Sequence, residues 1–545
     1  MHIIDKKFTE FIYENSDGQK KKIYLAAAAN GLCMALLMYS LTVGLDDFSQ
    51  NNEVSLRGLI IFAVSLAAYY ITQKLGGEIV STSMQHGLTS IEARITDKLR
   101  RMDYAAFTDT DPEHIYAAVG GDKYGAVMAA RFLLSALSSI VVVLLTGIYL
   151  CTVSIPGALL VAATLVIVLK FRKAIDEKVN ERAKEDNEAT DKYTSSIKDI
   201  LEGFNELKMN RRRSDDLFDS EIAPASVNKS KRQLKSELIR MQSSILEQVT
   251  LFIPLGLTLF VLPMFAETAS TDLVKIISIT LIVIWPAYML VQIGPVSSAA
   301  ADTIKRLQTI EEKLDQANLE PPTENGIYPV PPDFNKKIVC KNLVYEYKLR
   351  EGDKKPFRLE IPEICLSEGE LVIMRGGNGS GKSTFMRLLA GLTTPSEGNI
   401  TIDGVDKTEI GEAEYRSLFS LVMTDFHLFD KLYGMPDLDP DYFRKWACLL
   451  GLEEKFTDIK KLPTINLSSG QRKRAALLAA ICEGRKVMLL DEVAADFDPF
   501  FREKYYREIL PKLKHEGKTL FVISHDDRYY DIADRIITMS EGTSI

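Results

Sequence analysis

The chain has 545 residues, of which 66 are Lys or Arg and 74 are Asp or Glu, for a net charge of −8. That balance argues against a nucleic-acid partner, and the basic run Arg211-Arg212-Arg213 reads as solvated surface. Hydrophobic residues make up 46% of a chain whose mean hydropathy is near zero, the average of an apolar first part and a charged last part. The six cysteines, Cys33, Cys151, Cys340, Cys365, Cys448 and Cys482, have neither CxxC nor metal-ligand spacing and read as free thiols.

In chain order, Ile23 to Leu45 is an uncharged stretch, preceded by 22 residues and not followed by a cleavage pattern, so it reads as a retained span. Gly58 to Gln73 is shorter and flanked by Arg57 and Lys74, which can snorkel; its helix is expected to continue to about residue 80. Phe132 to Leu169 is uncharged but interrupted by Ser154-Ile155-Pro156-Gly157, which predicts two helices, about 132–153 and 156–170. Gln248 to Ala266 and Ile276 to Ala301 complete six stretches that each approach the roughly 20 residues a bilayer core requires. Lys20-Lys21-Lys22 and the Lys- and Arg-rich connections Ile95 to Arg131 and Lys170 to Glu247, mostly polar and helix-prone and so expected to carry helices far out of the bilayer, lie on one side. The short acidic connections Asp46 to Ser55 and Glu267 to Asp272 lie on the other, so both termini are expected in the cytosol.

Thr110-Asp111-Pro112-Glu113-His114 is a helix start, with an Asp cap and Pro at the first position. It and a second stretch near Lys208 to Asp219 read either as helices that couple the membrane part to a soluble part or as ordinary cytosolic turns. Asn30, Trp285, Pro286 and Gln292 are the polar or kinking residues within spans, facing a pathway or bonding between helices. No ionisable residue sits mid-span, which suits a large, weakly charged or amphipathic cargo better than an ion. Residues 1–316 thus form the expected membrane domain, and the prolines from Pro321 to Pro332 mark 317–337 as a linker.

The remaining segment, 338–545, carries the chemistry. Gly376, Gly377, Asn378, Gly379, Ser380, Gly381, Lys382, Ser383 and Thr384 follow the apolar run Leu371-Val372-Ile373-Met374 and precede Phe385-Met386-Arg387-Leu388-Leu389. This is a P-loop in its strand–loop–helix setting: glycines turn the backbone so that N–H groups face the phosphates of ATP, Lys382 adds a point charge, and the Ser383 hydroxyl suits Mg²⁺. Val487-Met488-Leu489-Leu490-Asp491-Glu492 is an apolar strand ending in two carboxylates, Asp491 for Mg²⁺ and Glu492 to polarise the attacking water. A second apolar run, Val522-Ile523, ends in Ser524-His525, and Leu467-Ser468-Ser469-Gly470-Gln471 lies between P-loop and Walker B strand.

With these motifs in this order, 338–545 resembles the nucleotide-binding domain of ABC transporters. The resemblance implies that Leu467, Ser468, Ser469, Gly470 and Gln471 are the signature that clamps ATP held by a second subunit, with Ser469 and Gly470 the main contacts. It makes Tyr347 the aromatic stacked on adenine, His525 the switch histidine, and Asp498 the acid closing the loop that crosses the dimer. The expected fold is an α-helical membrane domain of the type I ABC exporter kind, joined to an α/β P-loop NTPase domain with a helical subdomain. A homodimer is implied.

Two departures from the family pattern stand out. Thr424 occupies the place of the usual metal-sensing Gln and reaches less far, so Mg²⁺ contact there is open and Asp425 is an alternative. Lys461-Leu462-Pro463-Thr464-Ile465-Asn466 stands where exporters carry TxVGxxG. The stretches around Thr424, Ser469, Asp491 and His525 resemble bacterial cyclic-peptide and siderophore-peptide exporters of the pyoverdine and microcin type. The resemblance implies ATP-driven export of a cyclic, lasso or siderophore peptide across the bacterial inner membrane. A lipid flippase of the same build, or a non-transporting sensor or gated channel, stays open. With only 22 residues and no Cys before Ile23, a leader-cutting protease domain is not expected ahead of the first span, and the cargo is expected already mature.

Overall fold

A computed structural model describes residues 4–51, 56–108, 110, 112–121, 123–265, 270–321, 328–347, 356–456 and 467–544. The chain divides into two compact units, Met1–Arg100 with Asp111–Gln316, and Arg101–Thr110 with Ala317–Ile545.

The first unit is helical. A short helix, Lys6–Glu14, starts at Asp5, whose carboxylate accepts from the backbone N–H groups of Lys7 and Phe8, and it buries Phe8, Phe11 and Ile12. That is the i, i+3, i+4 stripe of a helix with one apolar face. Among the described residues six long helices follow: Lys20–Asn51, Leu56–Arg101, Tyr124–Val153, Ile155–Glu202, Ala223–Phe260 and Ser270–Asp315. The first four expected spans and the sixth each fall inside one of them. The fifth runs through the end of Ala223–Phe260 and the short helix Leu262–Phe265, and its last residue, Ala266, lies outside the described residues. Among the described residues, five stretches are long and apolar enough to cross a membrane: Lys20–Gly44, Leu56–Arg101, Tyr124–Val153, Arg211–Met264 and Leu273–Asp315. The expected span 156–170 lies in Ile155–Glu202, where the side chains of 168–188 are outside the described residues.

The interruption at Ser154 is a one-residue hinge. Ser154 ends one helix and caps the next, its hydroxyl accepting from the Gly157 N–H at 3.2 Å, and Pro156 sits in the first turn, where no donor is needed. Asn30 is buried and donates to the Thr72 hydroxyl at 3.3 Å, an interhelical bond, whereas Trp285 is exposed. Between Lys208 and Asp219 the chain forms two short helices, Phe204–Met209 and Arg211–Leu217, separated at Asn210, which caps the second by accepting from the Arg213 N–H. The Arg211 side chain is solvated. The helix predicted near Thr110 is Pro112–Gly120, with Asp111 outside the described residues.

Among the described residues the second unit is built on ten strands: β1 Lys337–Glu346, β2 Arg358–Ser367, β3 Leu371–Gly376, β4 Glu397–Ile402, β5 Val405–Asp406, β6 Phe419–Val422, β7 Val487–Asp491, β8 Thr519–Ile523, β9 Arg535–Ser540 and β10 Thr543–Ser544. They form one sheet in the order β5-β4-β1-β2-β10-β9-β3-β8-β7-β6. The β9-β3-β8-β7-β6 portion is parallel, and β1 pairs antiparallel with β2 and β4. β7 and β8 are buried at every residue, as their unbroken apolar runs require of central parallel strands. One face packs on Phe385, Leu388 and Leu389; the other on Trp446, Leu477, Leu478 and Ile481.

This unit is not cut from the chain at one point. The Asp103 N–H donates to the Asn318 carbonyl at 3.0 Å, the Glu320 N–H donates to the Arg101 carbonyl at 2.8 Å, and Met102 pairs with Leu319. A second tie is Asp403, whose carboxylate accepts from three successive N–H groups, Asn335, Lys336 and Lys337, at 2.8, 3.0 and 2.8 Å. Partial burial raises the Asp403 pKa, but those three bonds outweigh it and hold the group below its ordinary value. The bonds therefore contribute stability above the unfolded pKa, and that contribution is lost as pH falls through the folded one. Asp403→Ala should destabilise the ATPase unit by about 1–3 kcal/mol, with the gap in thermal midpoint between variant and wild type closing as the solution is acidified.

Candidate nucleotide-binding site

The ladder of parallel strands sets the site. Met374 of β3 pairs with Ile523 of β8, and Ile523 pairs with Asp491 of β7, so three strands end at one level. The loops leaving them, Gly376 to Gly381, Asp491-Glu492 and Ser524-His525, emerge side by side. Strand carboxyl ends are where open α/β sheets hold ligands.

The first loop turns into the helix Lys382–Leu389. Gly376, Gly379 and Gly381 have φ of 156°, 76° and 100°, and a Cβ on Gly376 would lie 2.3 Å from the Met539 carbonyl oxygen, so the loop cannot be built there with a side chain. Lys382 is buried at the start of the helix, and its Nζ donates to the Gly376 and Gly377 carbonyls, both at 2.9 Å, arching back over the loop. Burial pulls its pKa down from the ordinary value, while the Glu492 and Asp491 charges oppose that.

Asp491 is 1% exposed, and neither of its carboxylate oxygens has a hydrogen-bond partner among the described residues. Burial pushes its pKa up from the ordinary value, with the Ser383 and Thr424 hydroxyls and Arg387 favouring the ionised form and Glu492 disfavouring it. An unpaired buried carboxylate beside a hydroxyl is the donor set Mg²⁺ takes in phosphate sites, where substrate oxygens and water supply the remaining ligands. Among the described residues no group of three or more His, Cys, Asp or Glu gathers to hold a metal by protein alone. Thr424 follows β6 and reaches the Asp491 main-chain oxygen at 3.4 Å, while Asp425 is exposed and lies 4.0 Å from Arg387.

Glu492 adopts a left-handed backbone, φ 49° and ψ 38°. Its N–H donates to the Ile523 carbonyl at 3.1 Å, and its Oε1 meets His525 Nε2 at 3.1 Å. Tyr347 shares a hydroxyl–hydroxyl bond of 3.1 Å with Thr384, two residues beyond Lys382, and its ring meets Tyr345 edge-on. The structure thus gathers Tyr347, Lys382, Ser383, Thr384, Asp491, Glu492 and His525 around one loop.

Ser468 and Gln471 form a reciprocal cap on the helix Ser469–Cys482. A Cβ on Gly470 would stand 2.8 Å from the Asp496 carbonyl oxygen, so that helix packs its glycine against the turn after Glu492. Asp498 caps the helix Pro499–Lys504 by accepting from the Phe501 N–H at 3.0 Å. The departure at Lys461 to Asn466 lies outside the described residues.

Two groups escape the motif reading. Lys473 is 5% exposed and donates to the Glu492 carbonyl at 3.0 Å. Its signal is a lysine on the helix face that also carries Leu477, Ala480 and Ile481. Behind His525, the Tyr506 hydroxyl lies 2.6 Å from the Ser524 hydroxyl and donates to Asp526 at 2.9 Å, while Arg502 donates to the Ala495 and Phe497 carbonyls at 3.2 Å. No local pattern marks those partners before the turn is folded.

Fold and site together define a P-loop nucleotide-binding domain joined in one chain to a helical membrane domain. The ABC transporter family model matches residues 359–495, and the ABC transporter transmembrane region matches 22–286. The chain is accordingly an ABC half-transporter in build, a membrane domain fused to an ATPase domain. It is 34% identical over 373 residues to the ATP-binding protein SyrD of Pseudomonas syringae pv. syringae, across 67% of this chain and 65% of that protein, just under two thirds of its length. It is 28% identical over 257 residues to the ATP-dependent lipid A-core flippase of Chromohalobacter salexigens, across 44% of this chain and 43% of that protein. A bacterial Atm1-family ABC exporter with ATP bound shares the fold with a TM-score of 0.67 at 16% identity, covering 97% of this chain and 94% of that one.

Replacing Asp491 by Asn removes the unpaired buried charge and keeps its shape. A raised folded pKa means that the wild type loses stability as pH rises through it. The nucleotide-free Asp491→Asn protein should therefore melt higher than wild type at neutral pH, with the difference shrinking on acidification. The extra stability that a Mg²⁺–ATP analogue gives the wild type should be absent from the variant.

Proposed function

We propose that this chain is an ATP-driven exporter acting as a homodimer in the bacterial inner membrane with both termini cytosolic, and that its cargo is peptide-like: a cyclic, lasso or siderophore peptide. The observation that carries the ATPase part is the convergence of Lys382, Asp491, Glu492 and His525 at three adjacent strand ends.

The residues divide the work. The loop N–H groups from Gly376 to Ser383 and the Lys382 ammonium bind the phosphates, and Tyr347 stacks on the base. Ser383 and Asp491 would hold Mg²⁺, with Thr424 or Asp425 the further candidates; when bound, the ion would neutralise charge on the phosphate oxygens. Glu492 orients and polarises the attacking water, and His525, bonded to the Glu492 carboxylate, fixes its direction and reaches toward the terminal phosphate. Leu467 to Gln471 present a capped helix N-terminus to ATP on a second copy, and Asp498 shapes the turn that faces that copy. Two ATP molecules would then close the dimer and turn the cavity outward, and hydrolysis would reset it.

The peptide assignment is supported by the motif resemblance and by spans without a mid-membrane ionisable residue. The similarity to lipid A-core flippases favours a second reading, lipid transfer. Uptake into inverted vesicles separates them: ATP-dependent accumulation of a mature cyclic or siderophore peptide supports the first, and ATP-dependent movement of labelled lipid without peptide uptake replaces it by the second. For the ATPase, Glu492→Gln should retain nucleotide binding and lower turnover by about 100-fold or more, whereas Lys382→Ala should weaken binding itself; both are read from ATP-analogue titration beside steady-state hydrolysis.

A further inference from the structure

Glu492 is one of a few non-glycine residues in the left-handed region, at φ 49°. A side chain does not rest there unless its neighbours hold it. Its N–H is fixed to Ile523, and its carbonyl accepts from the Ala495 N–H at 3.2 Å and from Lys473 Nζ at 3.0 Å. Lys473 is the only side-chain donor described on that carbonyl. It is buried on the helix that begins at Ser469, and its ammonium also pairs with Asp496 at 3.3 Å. The close approach of Gly470 to the Asp496 carbonyl keeps the helix against the same turn. One cation therefore spans both ends of the segment Glu492 to Asp496 and ties it to the signature helix.

We infer that Lys473 is a positioning residue for hydrolysis: by holding the Glu492 carbonyl it sets the backbone from which the Glu492 carboxylate reaches His525 and the attacking water. The inference rests on the reading of Glu492 as the water-polarising group. Among the described residues the bonds of Lys473 go to Glu492 and Asp496 and none to a phosphate-binding residue, so its loss leaves nucleotide binding in place and lets the carboxylate wander. A linear apolar side chain in its place fills the volume but cannot donate.

The test uses the full-length protein and steady-state ATP hydrolysis, with binding of a fluorescent ATP analogue and thermal melting measured alongside. Lys473→Met should lower kcat by about 10- to 100-fold while KM and analogue affinity stay near wild type, as expected when a reacting group is displaced by a fraction of an ångström. Lys473→Arg, which keeps a charged donor, should recover much of the rate. A Lys473→Met protein with wild-type kcat, or one whose defect lies in KM alone, overturns the inference. If Lys473→Met does not fold, Lys473→Arg decides: a folded arginine variant with most of the wild-type kcat supports the role, and one with kcat lost to the level of Glu492→Gln overturns it. Glu492→Gln measured in parallel separates the two readings. Full turnover there removes the assigned role of Glu492 and this inference with it, whereas an inactive Glu492→Gln beside a fully active Lys473→Met removes only the role of Lys473.

Discussion

The parallel register of β3, β8 and β7 is what the remainder of the ATPase unit is arranged around. Because each strand is apolar and fully buried along its central run, none can slip without exposing its side chains or leaving backbone groups unpaired. The residues at which the apolar runs end are therefore set level with one another, and polar chemistry begins where the runs stop. Arg375-Gly376, Asp491 and Ser524-His525 stand at that limit or just beyond it, so a loop, a carboxylate and a histidine meet without any of them having to fold the sheet.

Placing Asp491 at such an edge leaves a charge with little water and, among the described residues, no hydrogen-bond partner on its carboxylate oxygens. Burial of an unpaired carboxylate is unfavourable until a cation arrives. The neighbouring groups respond to the same need: the Ser383 and Thr424 hydroxyls favour the ionised form, and Lys382 is turned toward the loop carbonyls. The Thr424 hydroxyl goes to the Asp491 main chain. Local chemistry and global packing meet in a few side chains, and the energy of binding is prepared in advance by the fold.

How much of this was legible beforehand varied with the range of the interactions involved. The P-loop, the Walker B carboxylates and the helix break at Ser154 depend on neighbours a few residues away, and each sits where a local pattern marks it. Hydropathy alone stops short of the ends of the long helices, but the polar, helix-prone connections point to helices that run on, and Leu56–Arg101 and Ile155–Glu202 do continue far past their apolar stretches. Arg502, Tyr506 and Lys473 could not be assigned partners, because their bonds reach the turn Glu492 to Phe497 or Asp526, which is close only after the sheet forms. Asn30 offered two alternatives, and the helix crossing with Thr72 selected bonding between helices.

The pairing of Met102 with Leu319, within the unit that also holds the P-loop, bears on how such proteins diversify. A cassette exchanged between genes at the proline-rich boundary would leave behind Arg101–Thr110, including Tyr104, whose ring carries the Arg387 guanidinium at 5.9 Å. The incoming domain would meet a foreign segment in place of its own. A single breakpoint at that boundary therefore does not coincide with the edge of the folded unit.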